Sequence, residues 1–122
     1  MYKVKVISDF SAAHRLRNYK GKCENIHGHN WKVEVSVSSK KLDRLGMLVD
    51  FKELKKRVNA VLDGLDHKNL NDLPYFKKIN PTSENIARYI YEQVIHRGRG
   101  RLNVPYRVTV WESDTACATY GL

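Results

Sequence analysis

Residues 27–38 read HGHNWKVEVSVS. From Trp31 onward the apolar residues fall on every second position: Trp31, Val33, Val35 and Val37. Lys32, Glu34, Ser36 and Ser38 fill the positions between them. Successive side chains of a strand point to opposite faces, so the pattern predicts a strand with one buried and one wet face. Half-buried strands of this kind build antiparallel sheets. Branched and aromatic residues also suit the pleat. This stretch therefore sets the fold class, and the rest of the chain must supply its partners.

Upstream, residues 2–14 alternate too, with Val4, Val6, Ser8, Phe10, Ala12 and His14 on one face. The segment between the two strands, RLRNYKGKCENI (15–26), is polar, contains Gly21 and reads as a loop. Downstream, KKLDRLGMLVD (40–50) is a connection. Phe51, Leu54, Val58, Val61, Leu62 and Leu65 then recur at helical spacing. Asp50 with Glu53 makes a capping-box-like start, and Gly64 suits the helix end. After a loop, Thr82 or Ser83 caps a second helix striped by Ile86, Tyr89, Ile90, Gln93 and Val94. HRGRGRLNVP turns the chain, YRVTVWE (106–112) alternates as a third strand, and TACATYG (115–121) is a short fourth.

The order ββααββ predicts an α+β domain: a four-stranded antiparallel sheet with two helices on one face. Residues 1–122 form that single domain, a length that buries a core without disulfides. Four strands leave two edges, which are usually managed by pairing, so an edge-to-edge oligomer is expected. No apolar run approaches the ~20 residues of a membrane span. The first residues lack a signal-peptide core, so a cytoplasmic address is expected. Free thiols are then expected for Cys23 and Cys117, with Cys117 packed in its strand. The net charge of +9 draws anions without saying which. One reading is a basic RNA-binding module. However, the dense run HRGRGR (96–101) lacks the interleaved aromatics that stack on bases.

Several residues carry chemistry. His27 and His29 share a strand face, about 7 Å apart, and two neutral imidazoles so placed can chelate a divalent metal such as zinc. An ordinary strand entry reads the same. His14 ends the first strand on the face of Phe10 and Ala12. A return of the chain would bring it to His27, giving three imidazoles and an open fourth position, the pattern of a catalytic zinc site. Cys23 lies four residues before His27. Near a dication its thiol gains thiolate character, as a base, a nucleophile or a fourth ligand. Asp66–His67 is a potential proton-shuttling pair. Glu112 shares a face with Val108 and Val110, so its carboxylate needs a strong donor such as the paired N–H edge of a heterocycle, or an arginine.

Taken together, FSAAHRL, CENIHGHNW, LDHKNLND, PTSENIARYIY and VWESDTACATY resemble the 6-pyruvoyl-tetrahydropterin synthase family. Five ordered motifs span nearly the whole chain. The resemblance implies the tunnelling fold, in which three subunits close a twelve-stranded barrel and two barrels stack as a homohexamer with active sites between subunits. It implies zinc held by His14, His27 and His29. Cys23 would be the proton-abstracting base and Asp66 with His67 the second acid/base unit. Glu112 would anchor the pterin, and Thr82, Ser83 and Glu84 would frame it. The implied substrate is 7,8-dihydroneopterin triphosphate, a small molecule, with no nucleic acid or membrane partner. Three residues separate Cys23 from His27. That short gap resembles the 6-carboxytetrahydropterin synthase branch, of the queuosine route, in which acetaldehyde and triphosphate are lost. The pyruvoyl branch carries a longer gap and loses triphosphate alone. HRGRGR is a candidate for holding the triphosphate, or a set of cations favoured near a helix C-terminus.

Overall fold

Strand β2 (His27–Ser39) is the centre of the molecule. In the computed structural model, which describes residues 1–96 and 106–121, Trp31, Val33, Val35 and Val37 are fully buried. Each such side chain contributes ~1.5–3 kcal/mol by leaving water. Strand β1 (Tyr2–His14) pairs antiparallel with β2 along its whole length, setting Phe10 opposite Trp31 and His14 opposite His27. On the other side of β2 lies β4 (Tyr106–Ser113), followed by β5 (Ala116–Gly121), both antiparallel.

The sheet order is β3-β1-β2-β4-β5, where β3 is the two-residue strand Lys68–Asn69, parallel to Ala12 and Ala13. The sequence showed four strands, because two residues carry no alternation. β3 is made by backbone pairing after α1 (Phe51–Asp63) returns the chain to the free edge of β1.

Helices α1 and α2 (Ser83–His96) cover one face of the sheet. Leu54, Val58, Val61 and Leu62 of α1 and Ile86, Ala87, Ile90 and Val94 of α2 join the strand residues in one core. Phe51, counted in the apolar stripe, is 56% exposed; it is the first helical residue, and packing begins one turn later at Leu54. Asp50 caps α1 by accepting the Lys52 N–H, and Gly64 ends it in an ordinary right-handed conformation.

Thr82, rather than Ser83, caps α2: its Oγ1 accepts the Asn85 N–H at 3.1 Å. Thr82→Ala is expected to cost ~1 kcal/mol of stability and Thr82→Ser much less, read by urea unfolding. Equal losses would deny the cap.

Cys117 is exposed, which corrects its expected packing: among the described residues β5 has β4 as its one ladder partner, and it is open over most of its length. The basic run after α2, residues 97–101, lies outside the described residues. Among the described residues, no helix is long and apolar enough to cross a membrane.

Candidate active site

The register that buries Val33 and Val35 also converges three histidines. His14 faces His27 across the β1–β2 ladder, and His29 lies opposite Ala12. Their ring centroids are 4.7, 5.1 and 4.9 Å apart. Trp31 packs edge-on against His14 and His29, and its indole N–H is tied to the Ala12 carbonyl. Glu112 arrives from β4, at an irregularity between Trp111 and Ser113. Irregularities of this kind re-aim side chains next to functional sites. Here Glu112 Oε1 comes 3.0 Å from His29 Nε2 and 3.4 Å from His14 Nε2. One ligand atom from each of His14, His27, His29 and Glu112 falls within 4.8 Å of the others.

Hydrogen bonds settle which ring nitrogens face inward. His14 Nδ1 lies 2.7 Å from the Pro81 carbonyl and His27 Nδ1 lies 2.8 Å from the Asn25 carbonyl. A carbonyl only accepts, so each Nδ1 carries a proton, and Nε2 is the nitrogen left to meet a ligand. His14 Nε2 and His29 Nε2 are buried and have no aligned hydrogen-bond partner. The nearby Glu112 oxygen meets the distance of an ion pair but not the direction of a hydrogen bond. Burial first, then the His14 and His27 rings, holds His29 below the usual imidazole pKa, against the opposing pull of Glu112. Buried imidazole Nε2 atoms without an aligned hydrogen-bond partner, beside a carboxylate, fit a divalent cation, and this donor set suits zinc.

Asp66 and His67 form the pair the sequence suggested. Asp66 Oδ2 lies 2.9 Å from His67 Nδ1. Both residues grip one point of β1: Asp66 Oδ1 accepts the Ser11 N–H at 2.8 Å, and the His67 N–H donates to the Ser11 carbonyl at 2.6 Å. His67 takes a left-handed backbone, φ 57°, and its side chain is 82% exposed at the β1–β3 edge. The Ser11 N–H first, and His67 second, lower the Asp66 pKa. A lowered carboxyl pKa stabilises the fold above the unfolded value of about 3.9, and the gain is lost as pH falls through the folded value. Asp66→Asn should therefore flatten the acid limb of stability below about pH 4 in urea titrations. An unchanged limb would contradict this.

A family model described as 6-pyruvoyl tetrahydropterin synthase matches residues 3–121. The chain belongs to that family. Its members are enzymes, tetrahydropterin synthases with a lyase-type reaction. The human 6-pyruvoyl tetrahydrobiopterin synthase is 39% identical over 91% of this chain and 85% of its own. The Archaeoglobus fulgidus protein named putative 6-carboxy-5,6,7,8-tetrahydropterin synthase is 42% identical over 89% of this chain and 86% of its own. The solved structure of Caenorhabditis elegans 6-pyruvoyl tetrahydropterin synthase superposes with a TM-score of 0.86 at 34% identity, covering 99% of this chain and 95% of that one.

The remaining family motifs fall in separate places. Cys23 is exposed in the loop between β1 and β2, outside the four-residue cluster. Asn18, Lys20 and Gly21 turn that loop with positive φ. Thr82 is engaged as the cap of α2, while Ser83 is half-buried and Glu84 exposed in its first turn. One chain thus gathers the three histidines and Glu112, and holds Cys23 and the Asp66–His67 pair apart from them. The sequence did not mark the Pro81 carbonyl, Glu24, Asn71 or Asn80, all of which hold this region. Backbone acceptors leave no letter, and asparagines beside turns look like ordinary loop residues.

Proposed function

We propose that the chain uses zinc to convert 7,8-dihydroneopterin triphosphate and water to 6-carboxy-5,6,7,8-tetrahydropterin, acetaldehyde and triphosphate. The observation that carries the reading is the cluster of His14, His27 and His29 with two buried, unpartnered Nε2 atoms. Zinc held there supplies Lewis-acid polarisation of the substrate's side-chain oxygens. Cys23, as thiolate, takes the side-chain proton. His67, held in its tautomer by Asp66 Oδ2, moves the second proton through Nε2. Glu112 accepts the paired N–H groups of the pterin, and Thr82, Ser83 and Glu84 border the ring. The reduction of the ring is internal, so no redox cofactor is required.

The separation of groups within one chain supports a site completed between subunits. β3 and β5 are the outer strands, and β3 covers just two residues of β1. In the proposed homohexamer, three sheets join at these edges into a barrel, and two barrels stack. The exposed His67 at one edge would then serve a neighbour's histidine cluster. Two free cysteines agree with the reducing cytoplasm, and the 6-carboxy product would place the reaction in the queuosine route.

The product assignment rests on the three-residue gap between Cys23 and His27. Relatives named 6-pyruvoyl tetrahydrobiopterin synthase, at 37–39% identity, favour the second reading, in which triphosphate alone is lost. Incubation with 7,8-dihydroneopterin triphosphate, followed by mass identification of the pterin, decides between them. The 6-carboxy compound with acetaldehyde is expected; the pyruvoyl compound alone would overturn the assignment.

A further inference from the structure

The three residues after His14 have all their backbone polar groups occupied. The Arg15 N–H donates to Asn71 Oδ1 at 2.9 Å, and Asn71 Nδ2 donates back to the Arg15 carbonyl at 3.0 Å. The Leu16 N–H donates to Glu24 Oε1 at 3.0 Å, and the Glu24 N–H returns to the Leu16 carbonyl at 2.9 Å. The Arg17 N–H donates to Asn80 Oδ1 at 2.9 Å, and Asn80 Nδ2 donates to the Arg17 carbonyl at 3.0 Å. Two asparagine amides and one glutamate thus stand where strand neighbours would. Among the described residues, β1 has no backbone ladder on the β3 side beyond Ala13, and these mostly side-chain bonds follow it.

This segment joins three functional points. Its first residue follows His14. Its middle residue is tied to Glu24, the neighbour of Cys23. Its last residue is tied to Asn80, which precedes Pro81, whose carbonyl orients His14. Arg17 strengthens the last link, donating from Nη2 to the Phe76 and Ile79 carbonyls. Asn80 is itself held, since its carbonyl accepts from Asn85 Nδ2 at 2.9 Å. The path from His14 through Arg17 and Asn80 to Pro81 closes back on the His14 ring.

We infer that Asn80 is a positioning residue: its amide clamps Arg17 and so fixes both the Pro81 carbonyl that orients His14 and the segment that anchors the Cys23 loop. The role in turnover rests on the function proposed above; the role in metal binding does not. Groups that orient a metal-bound histidine are typically worth about 10–100-fold in metal affinity.

The test uses full-length protein loaded with zinc. Zinc affinity is measured by chelator competition, turnover by pterin formation, and fold by circular dichroism. Asn80→Ala is expected to keep the fold, weaken zinc at least about tenfold and lower kcat about 100-fold with KM within about threefold. Val58→Ala, buried on α1 away from the segment, destabilises without these effects. Zinc affinity within about threefold of wild type in Asn80→Ala, or an equal loss in Val58→Ala, overturns the inference. If Asn80→Ala does not fold, Asn80→Asp, which keeps the acceptor for the Arg17 N–H and removes the donor to the Arg17 carbonyl, takes its place: a zinc loss of at least about tenfold upholds the inference, and affinity within about threefold of wild type overturns it. A wild-type protein that binds zinc yet makes no pterin defeats the proposed function, while zinc affinity still decides the role of Asn80.

Discussion

Cys23→Ala is expected to purify with the same zinc content as wild type and to lose about 10²–10⁴-fold in turnover, the range for removal of a proton-transferring group. The two halves of this result come from separate observations. The imidazoles of His14, His27 and His29 converge without Cys23, so a metal held by them would keep its donors when the thiol is gone. Cys23 itself is exposed, in a loop whose base is pinned by the Leu16–Glu24 pair. Replacing an exposed side chain there should change stability by less than ~0.5 kcal/mol. Inactivity would then reflect lost chemistry, not lost fold. Metal analysis and the pterin assay on one preparation are enough. Zinc loss in Cys23→Ala would make the thiol a ligand, and retained turnover would remove it from the mechanism.

The parts of the molecule that were readable from sequence share one property: their signal is periodic. The Trp31–Val37 alternation gave the central strand, its wet face and the antiparallel class. The helical spacing of Leu54, Val58, Val61 and Leu62 gave α1. The same alternation put His27 and His29 on one face, and the length of the loop let His14 meet them. What escaped is aperiodic. β3 is two residues of backbone pairing. Cys117 sits in an alternating strand, yet burial depends on neighbours, and β5 has a strand neighbour on one side. Glu112 reads from sequence as a carboxylate in need of a strong donor, a heterocycle edge or an arginine. The irregularity beside Trp111 sets it against His14 and His29, a placement that alternation alone does not show. The link between Asp66 and His67 lay between these cases. Adjacency named the pair, but the left-handed turn at His67 is what closes the hydrogen bond.

His14→Ala is expected to remove zinc and activity together. His14 is 2% exposed, the most buried of the four cluster residues. Its Nδ1–H is committed to Pro81, so Nε2 has one direction to face, toward His29 and Glu112. Alanine deletes a ligand, leaves the Pro81 carbonyl without its donor and opens a cavity beside Trp31. Loss of the carbonyl's partner alone costs ~1–3 kcal/mol. Zinc at a thousandfold excess over its dissociation constant adds about 4 kcal/mol to wild type by mass action, and the variant forgoes this as well. Metal-free wild type separates the two contributions: it lacks the zinc stabilisation and keeps the Pro81 bond. The expected order of melting temperature is therefore zinc-loaded wild type, metal-free wild type, then His14→Ala, the last unmoved by added zinc. Acid should mimic the first step. Zinc and protons compete for the same imidazoles, so zinc leaves as pH falls. Because burial lowers the His29 pKa, that ring stays neutral to a lower pH than free imidazole. The metal-free fold gains from a neutral His29 above the unfolded value of about 6.5, and loses that gain as pH falls through the folded value. A His14→Ala protein that still melts higher with zinc would show that His27, His29 and Glu112 suffice to hold it, and His14 would then be a structural histidine tied to Pro81.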